Sequence, residues 1–173
     1  MIQTPRLNLI TLSREDLTAG LVSLDDLSLR LNLVLVPDLF SGRVRSAVEK
    51  KVTKMEAIQI ELVPWFTYWL IFLRVASTGV GMVGFKGAPN SNGEVEIGYG
   101  IDPNFQRKGY MTKAVNAMTQ WAFSDPACRI ITAILSAPNN IASHRVLEKS
   151  GFQKVYSGQD GVSFRLERHL VLN

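Results

Sequence analysis

The spacing of apolar positions changes in a regular order from residue 67 onward. Residues 67–75 are aromatic and β-branched, end in a turn at Ser77-Thr78-Gly79, and are followed by a second apolar run over 80–86. Residues 88–93, Ala-Pro-Asn-Ser-Asn-Gly, carry turn chemistry throughout. Over 94–101 the side chains alternate, with Glu94 and Glu96 on one face and Val95, Ile97 and Tyr99 on the other. These three runs predict an antiparallel meander. The period then becomes helical, and Met111, Ala114, Val115, Met118, Trp121 and Ala122 form one apolar stripe across 109–123 that reads as core packing. Residues 129–135, with two adjacent isoleucines, predict a strand buried on both faces. A helix over 140–150 is capped by Asn139 or Asn140 and stopped by Gly151. Residues 152–157 and 162–169 close as a hairpin around 158–161, with His169 on the strand surface. The order β-β-β-α-β-α-β-β predicts a mixed sheet with helices packed on it.

The N-terminal third is less regular. Residues 6–11 read as a strand, and Ser13 with Asp16 three positions on reads as a helix cap. Residues 17–40 are leucine-rich and predict a helix and a loop. Residues 41–58 predict an amphipathic helix through Val44, Ala47, Val48, Val52 and Met55. At 173 residues the chain is expected to form one domain. The most apolar run, 62–73, is interrupted by Pro64 and is shorter than the ~20 residues of a transmembrane helix. The first residues lack the apolar centre of a signal peptide. A soluble, cytoplasmic protein with no membrane partner is the expectation.

Composition adds two constraints. One cysteine, Cys128, opens a β-branched run and reads as a small buried apolar residue; alone it makes neither an internal disulfide nor a zinc cluster. Between 106 and 149 lie Arg107, Lys108, Lys113, Arg129, Arg145 and Lys149 against Asp125 and Glu148, an excess equal to the whole net charge of +4. That excess points to an anionic ligand near this stretch, or to scattered solvated charge. A nucleic-acid module is a weaker reading, because no basic stripe is interleaved with aromatic residues.

Three segments carry candidate chemistry. Gln106-Arg107-Lys108-Gly109-Tyr110-Met111-Thr112 is a basic turn that opens a helix, and a helix start offers free N–H groups and partial positive charge to a phosphate. Gly109 lets the backbone approach a bulky anion without a Cβ in the way. The turn is not a Walker loop, and Gly98-x-Gly100 is not a dinucleotide fingerprint. Taken alone it reads equally as an ordinary helix start. Glu94 and Glu96 read either as a solvated face or, beside a cofactor cleft, as acceptors of a proton from an amine. The third segment runs from Pro138 to Phe152, where capping accounts for Asn140 and Gly151 but not for the rest.

Together the three segments resemble the GNAT superfamily of acyl-CoA-dependent N-acyltransferases. Gln106 and Gly109 fit its Gln/Arg-x-x-Gly-x-Gly/Ala turn, with Met111 at the last small-residue position. The opening Thr4-Pro5-Arg6-Leu7-Asn8-Leu9, the strand Glu96-Ile97-Gly98-Tyr99 and the segment from Arg145 to Phe152 resemble the branch containing ribosomal-protein N-terminal acetyltransferases. The resemblance implies an α/β (α+β mixed) fold: one GNAT-like domain over 1–173, its mostly antiparallel mixed sheet splayed at the centre with helices on both faces. It places an acetyl-CoA core at 67–168 and acceptor-side helices at 17–63.

The resemblance also implies acetyl-CoA as cosubstrate, without a metal. Its pyrophosphate would lie on the amides from Arg107 through Lys108, Gly109, Tyr110 and Met111 to Thr112, next to Gln106. The pantetheine arm would run along the backbone near Ile101, with Asn140 reaching it from the opposite side. An alkylammonium, with a pKa near ~10, must lose a proton before it attacks a thioester. Glu96 is the expected base, with Glu94 in reserve, and a free N–H near Ile101 would stabilise the oxyanion. Many family members have a tyrosine acid where this chain has Leu147, so Ser143 is named as its replacement; its other reading is a helix-capping serine. His144 reads as a surface helix residue. The acceptor is a primary amine, either a protein N-terminus or a small molecule, and not a nucleic acid. The rival reading is a non-catalytic acyl-CoA-binding protein, and the exposed edges of the final hairpin make a homodimer an expectation.

Overall fold

Alternating and helical stretches of the sequence assemble into one mixed sheet with helices on both sides. The computed structural model describes residues 1–168. Its elements are β1 (Ile2–Gln3), β2 (Leu7–Thr11), α1 (Arg14–Val22), α2 (Leu24–Leu31), β3 (Val34–Leu35), α3 (Gly42–Lys54), α4 (Val63–Phe66), β4 (Trp69–Leu73), β5 (Thr78–Phe85), β6 (Glu94–Ile101), α5 (Tyr110–Ser124), β7 (Ile130–Leu135), α6 (Ile141–Lys149), β8 (Gln153–Gly158) and β9 (Gly161–Glu167). The sheet order is β1-β2-β4-β5-β6-β7-β9-β8, with β3 added on β5. Pairing is antiparallel except for β3 with β5 and β6 with β7. The meander predicted from the alternating runs is β4-β5-β6. The end of the last predicted strand, at His169, lies outside the described residues.

The sheet divides its side chains between two faces. Phe85 stacks with Trp121 of α5, and Trp65 and Trp69 close the same cluster at centroid separations of 4.5–5.2 Å from Trp121. The stripe read from the sequence of α5 is core: Met111, Ala114, Val115, Met118 and Ala122 are buried. On α6, His144 meets Phe164 of β9 edge-on, so α5 and α6 cover one face. Helix α3 lies on the other face with α1 packed beside it and α2 packed on α1, its Val44 and Ala47 facing Tyr68 and Met82.

Local chemistry explains the N-terminal elements that sequence reading left coarse. Ser13 and Asp16 form a reciprocal capping box at α1. Where a helix and a loop are expected over 17–40, the chain forms two helices and a short strand. Ser23 closes α1 and caps α2, and Asn32 ends α2 in the left-handed region at φ 52°. Strand β3 then pairs with Thr78 and Gly79, beyond the end of β6 on the same edge of β5. Strand β7 departs from expectation. Ile131 and Ala133 are buried under the α5–α6 face, but Ile134 on the opposite face is 54% exposed, because among the described residues no helix lies over it there. Cys128 is buried as read, and burial pushes its thiol up to about 11.

Lys51 is the charged residue that the core keeps. Its Nζ donates to the carbonyls of Phe66 at 2.9 Å and Phe85 at 2.6 Å and sits 4.7 Å from the centre of the Tyr68 ring. Burial pulls its pKa down from 10.5 to about 7. A cation whose folded pKa is depressed binds fewer protons folded than unfolded between those values, so its contribution to stability rises with pH across that window. Urea unfolding of the wild type and of Lys51→Met is expected to shift in favour of the wild type as pH rises from 7 toward 10. A constant difference would place the lysine's titration outside that range.

Candidate active site

Strand β6 pairs with β7 over only three positions: Glu94 with Ile130, Val95 with Ile131 and Glu96 with Thr132. Beyond Glu96 the two parallel strands part, while β6 stays paired to β5 as far as Ile101 opposite Gly81. The direction of the backbone groups follows from the ladder. The Lys86 N–H donates to the Glu96 carbonyl and the Asp102 N–H donates to the Val80 carbonyl, each at 2.9 Å, so the even-numbered positions of β6 face β5. Ile97, Tyr99 and Ile101 therefore aim their N–H and C=O groups into the fork. Such groups require a partner, and an extended ligand lying in the fork supplies one.

Both helices that follow the parting strands start at this end. Helix α5 begins after Gly109, which sits in the left-handed region at φ 75° with no side-chain cap. The turn before it is wound by Arg107, also left-handed at φ 60°. A Cβ on Gly109 would meet only the Arg6 guanidinium, at 3.4 Å, so the backbone angle is what requires glycine there. The N–H groups of Tyr110, Met111 and Thr112 lie in the uncapped first turn. The Met111 side chain is buried. Gln106 closes the turn Pro103–Phe105, and its Nε2 lies 3.5 Å from the Ile101 carbonyl, a long contact. Lys108 Nζ donates to the Asn104 carbonyl at 3.0 Å.

One residue of this site escapes the sequence reading. Arg6, 102 positions before Lys108, donates to the Lys108 carbonyl at 3.0 Å and lies over the Tyr110 ring at 4.9 Å. It pins the basic turn to the start of β2 and adds a cation beside the helix N-terminus. No local pattern signals that role, since the contact depends on tertiary structure alone.

Across the fork, Asn140 caps α6 by accepting from the Ser143 N–H at 3.1 Å. The cap uses the Ser143 amide and not its hydroxyl. Tyr99 spans the gap, its hydroxyl donating to the Ser143 carbonyl at 3.1 Å, and burial raises its pKa above the usual phenol value. Tyr99, read from the sequence as part of the core face, thus also props α6 against β6. His144 is half-buried with Nε2 enclosed against Phe164, not on the surface as expected, because its helix position faces β9. Leu147 is buried.

Glu94 and Glu96 share the face opposite Tyr99, as their spacing requires. Glu96 is the last β6 residue paired to β7, and its carboxylate is 2.5 Å from Lys86 Nζ. Glu94 stands two pairs further back and meets Arg165 at 3.4 Å. The fork is thus bordered by Glu96, the free backbone edge near Ile101, the 106–112 turn, and the heads of α5 and α6.

Known proteins share both sequence and fold with this chain. Residues 6–153 match the acetyltransferase (GNAT) domain family. An uncharacterized N-acetyltransferase of Bacillus subtilis, YjdG, is 37% identical over 87 residues, 50% of this chain and 51% of the relative. The chain thus matches about half the length of the curated relatives. A ribosomal-protein-S5-alanine acetyltransferase from Vibrio fischeri superposes with a TM-score of 0.66 at 16% identity, covering 95% of this chain and 94% of its own. The ribosomal L7/L12 alpha-N-protein acetyltransferase RimL in complex with coenzyme A gives 0.64 at 18% identity, covering 95% of each chain.

The left-handed start of α5 makes a direct prediction. Gly109→Ala should lower stability by about 1–2 kcal/mol in urea unfolding, the cost of a Cβ in that conformation. A fully stable Gly109→Ala would show that the turn tolerates another conformation.

Proposed function

This chain belongs to the GNAT acetyltransferase family, and on that premise we propose that it is an acetyl-CoA-dependent N-acetyltransferase acting on a primary amine. The observation that carries this reading is the fork after Glu96, which leaves a run of backbone donors and acceptors open between two helix starts. The residues fit the cosubstrate. The uncapped first turn of α5, wound by Arg107 and Gly109 and flanked by Arg6 and Lys108, suits a diphosphate. The edges of Tyr99 and Ile101 suit the amides of a pantetheine arm. Asn140 and Ser143 stand on the far wall at the head of α6. The cosubstrate supplies an activated acetyl group as a thioester.

The chain's residues then divide the work. Glu96, at the root of the fork, takes the proton that an ammonium must lose, directly or through water. It is preferred to Glu94 because it stands two pairs nearer the opening. The Ile101 N–H is free to donate to the acyl oxygen. Ser143 is the candidate relay that gives the departing sulfur a proton and takes back the second proton lost by the attacking nitrogen as the amide forms. The reaction balances as one C–N bond formed, one C–S bond broken, a thiol released and one proton passed to solvent through Glu96. A cytoplasmic setting belongs to the same proposal. Among the described residues no helix is long and apolar enough to cross a membrane.

Calorimetry with acetyl-CoA, paired with thiol release against a panel of amines, tests the reading. Binding with release supports it; binding without release on any amine supports the acyl-CoA-binding rival. Glu96→Gln should lower turnover by about 100-fold or more and leave acetyl-CoA affinity essentially unchanged. A comparable loss of affinity would remove Glu96 from the role of base.

A further inference from the structure

On the face of β6 opposite its core side lies a cavity of about 440 Å³. It falls within the range of small-molecule sites, about 300–1,000 Å³. Leu39 and Val44 form one wall, and Tyr68 and Met82 of the sheet form the other. Lys51 Nζ lies over the Tyr68 ring, 4.7 Å from its centre. Asp38 and Asp102 are the charged residues of the lining, and among the described residues no lysine, arginine or histidine joins them. One Asp102 oxygen accepts from the Asn104 N–H at 2.9 Å, which leaves the second free. The floor at Gly100 is bare: a Cβ there, or on Gly98, would meet nothing within 4 Å. Gly98 and Gly100 share their face with Glu96, so open space runs along the strand from that carboxylate to the cavity.

We propose that this cavity holds the acceptor, and that the acceptor is a small monoamine: one ammonium group on an apolar, ring-sized body. The inference rests on the acyltransferase reading and specifies its second substrate. The two carboxylates attract a cation beside Ile101 and oppose an amine that carries its own carboxylate. The walls of Leu39, Val44 and Met82 suit a hydrocarbon body, and along those walls a second ammonium would find no partner. A peptide N-terminus would have to pair its first amide with the few neutral polar side chains of the lining, such as Ser41 and Tyr68, since Leu39, Val44 and Met82 offer no hydrogen bond.

The test begins with calorimetry of acetyl-CoA binding and proceeds to thiol release with phenethylamine, spermidine, glutamate and a short peptide with an apolar N-terminal residue. Phenethylamine is expected to give the highest kcat/KM. Asp38→Asn and Asp102→Asn should each lower it by about fivefold, mainly through KM and less so at high salt. The asparagine at 102 keeps the cap acceptor, so the turn is preserved. Gly100→Val places its side chain in open space at a backbone angle any residue adopts. It should shift the ratio of ethylamine to phenethylamine kcat/KM upward by roughly tenfold and leave acetyl-CoA affinity unchanged. Fastest release with spermidine, glutamate or the peptide would overturn the acceptor class while leaving the acyltransferase standing. An unchanged selectivity ratio in Gly100→Val would remove the cavity as the acceptor site. Failure to bind acetyl-CoA, or binding without release on every amine, would overturn both.

Discussion

Three pairs of residues hold β6 to β7, and the point where they stop determines the rest of the site. A parallel pair that continued to Ile101 would satisfy every backbone group and leave nothing for a ligand. Separation has a cost, because exposed strand edges lose their ladder bonds and rely on water or on a guest. The structure limits that cost by closing the ladder on β5 as far as Ile101, so only one edge of β6 is left open. Tyr99 then braces the gap through the Ser143 carbonyl, which keeps α6 from closing over it.

The same parting sets the electrostatics. Strands β6 and β7 are parallel, so the helices that leave their ends both start at the mouth of the fork. Each contributes the positive end of its dipole, and α5 adds the free N–H groups of its uncapped first turn. Arg6 reinforces α5 from a distant part of the chain, which ties the geometry of the turn to the folding of β2. Anion-binding capacity here is therefore a property of the assembled sheet as much as of the Gln106–Thr112 sequence.

That dependence explains what was legible in the sequence. Strand β6 was read with its observed bounds, because Glu-Val-Glu-Ile alternation states a face unambiguously and Asp102-Pro103 ends it. Helix α5 and the Asn140 cap of α6 were equally local. The separation of β6 from β7 left no local pattern and was expected only through the family resemblance, since register is fixed between segments about 36 residues apart. The reading of β7 as doubly buried failed because two adjacent isoleucines resemble a central parallel strand, whereas here one face has no helix over it. Lys51 carries no local signal of burial, since the apolar positions that mark α3 in the sequence are Val44, Ala47, Val48, Val52 and Met55. Only the carbonyls of Phe66 and Phe85, supplied by another part of the fold, show that it points inward.

A single strand thus serves three environments, and its composition follows from that. The odd-numbered side chains Val95 and Ile97 belong to the core under α5, and Tyr99 reaches from the same side to α6. The odd-numbered backbone groups face the fork and are available to a cosubstrate. The even-numbered side chains run from a carboxylate to two glycines, Glu96, Gly98 and Gly100, and open on the cavity. Two ligands can then approach the same few residues without competing for space, one along the edge of the strand and the other across its face. Glycine in a strand interior normally weakens it. Here the β5 ladder and the buried odd-numbered side chains hold β6 in place, so the two bare positions can be kept for an acceptor instead of for packing.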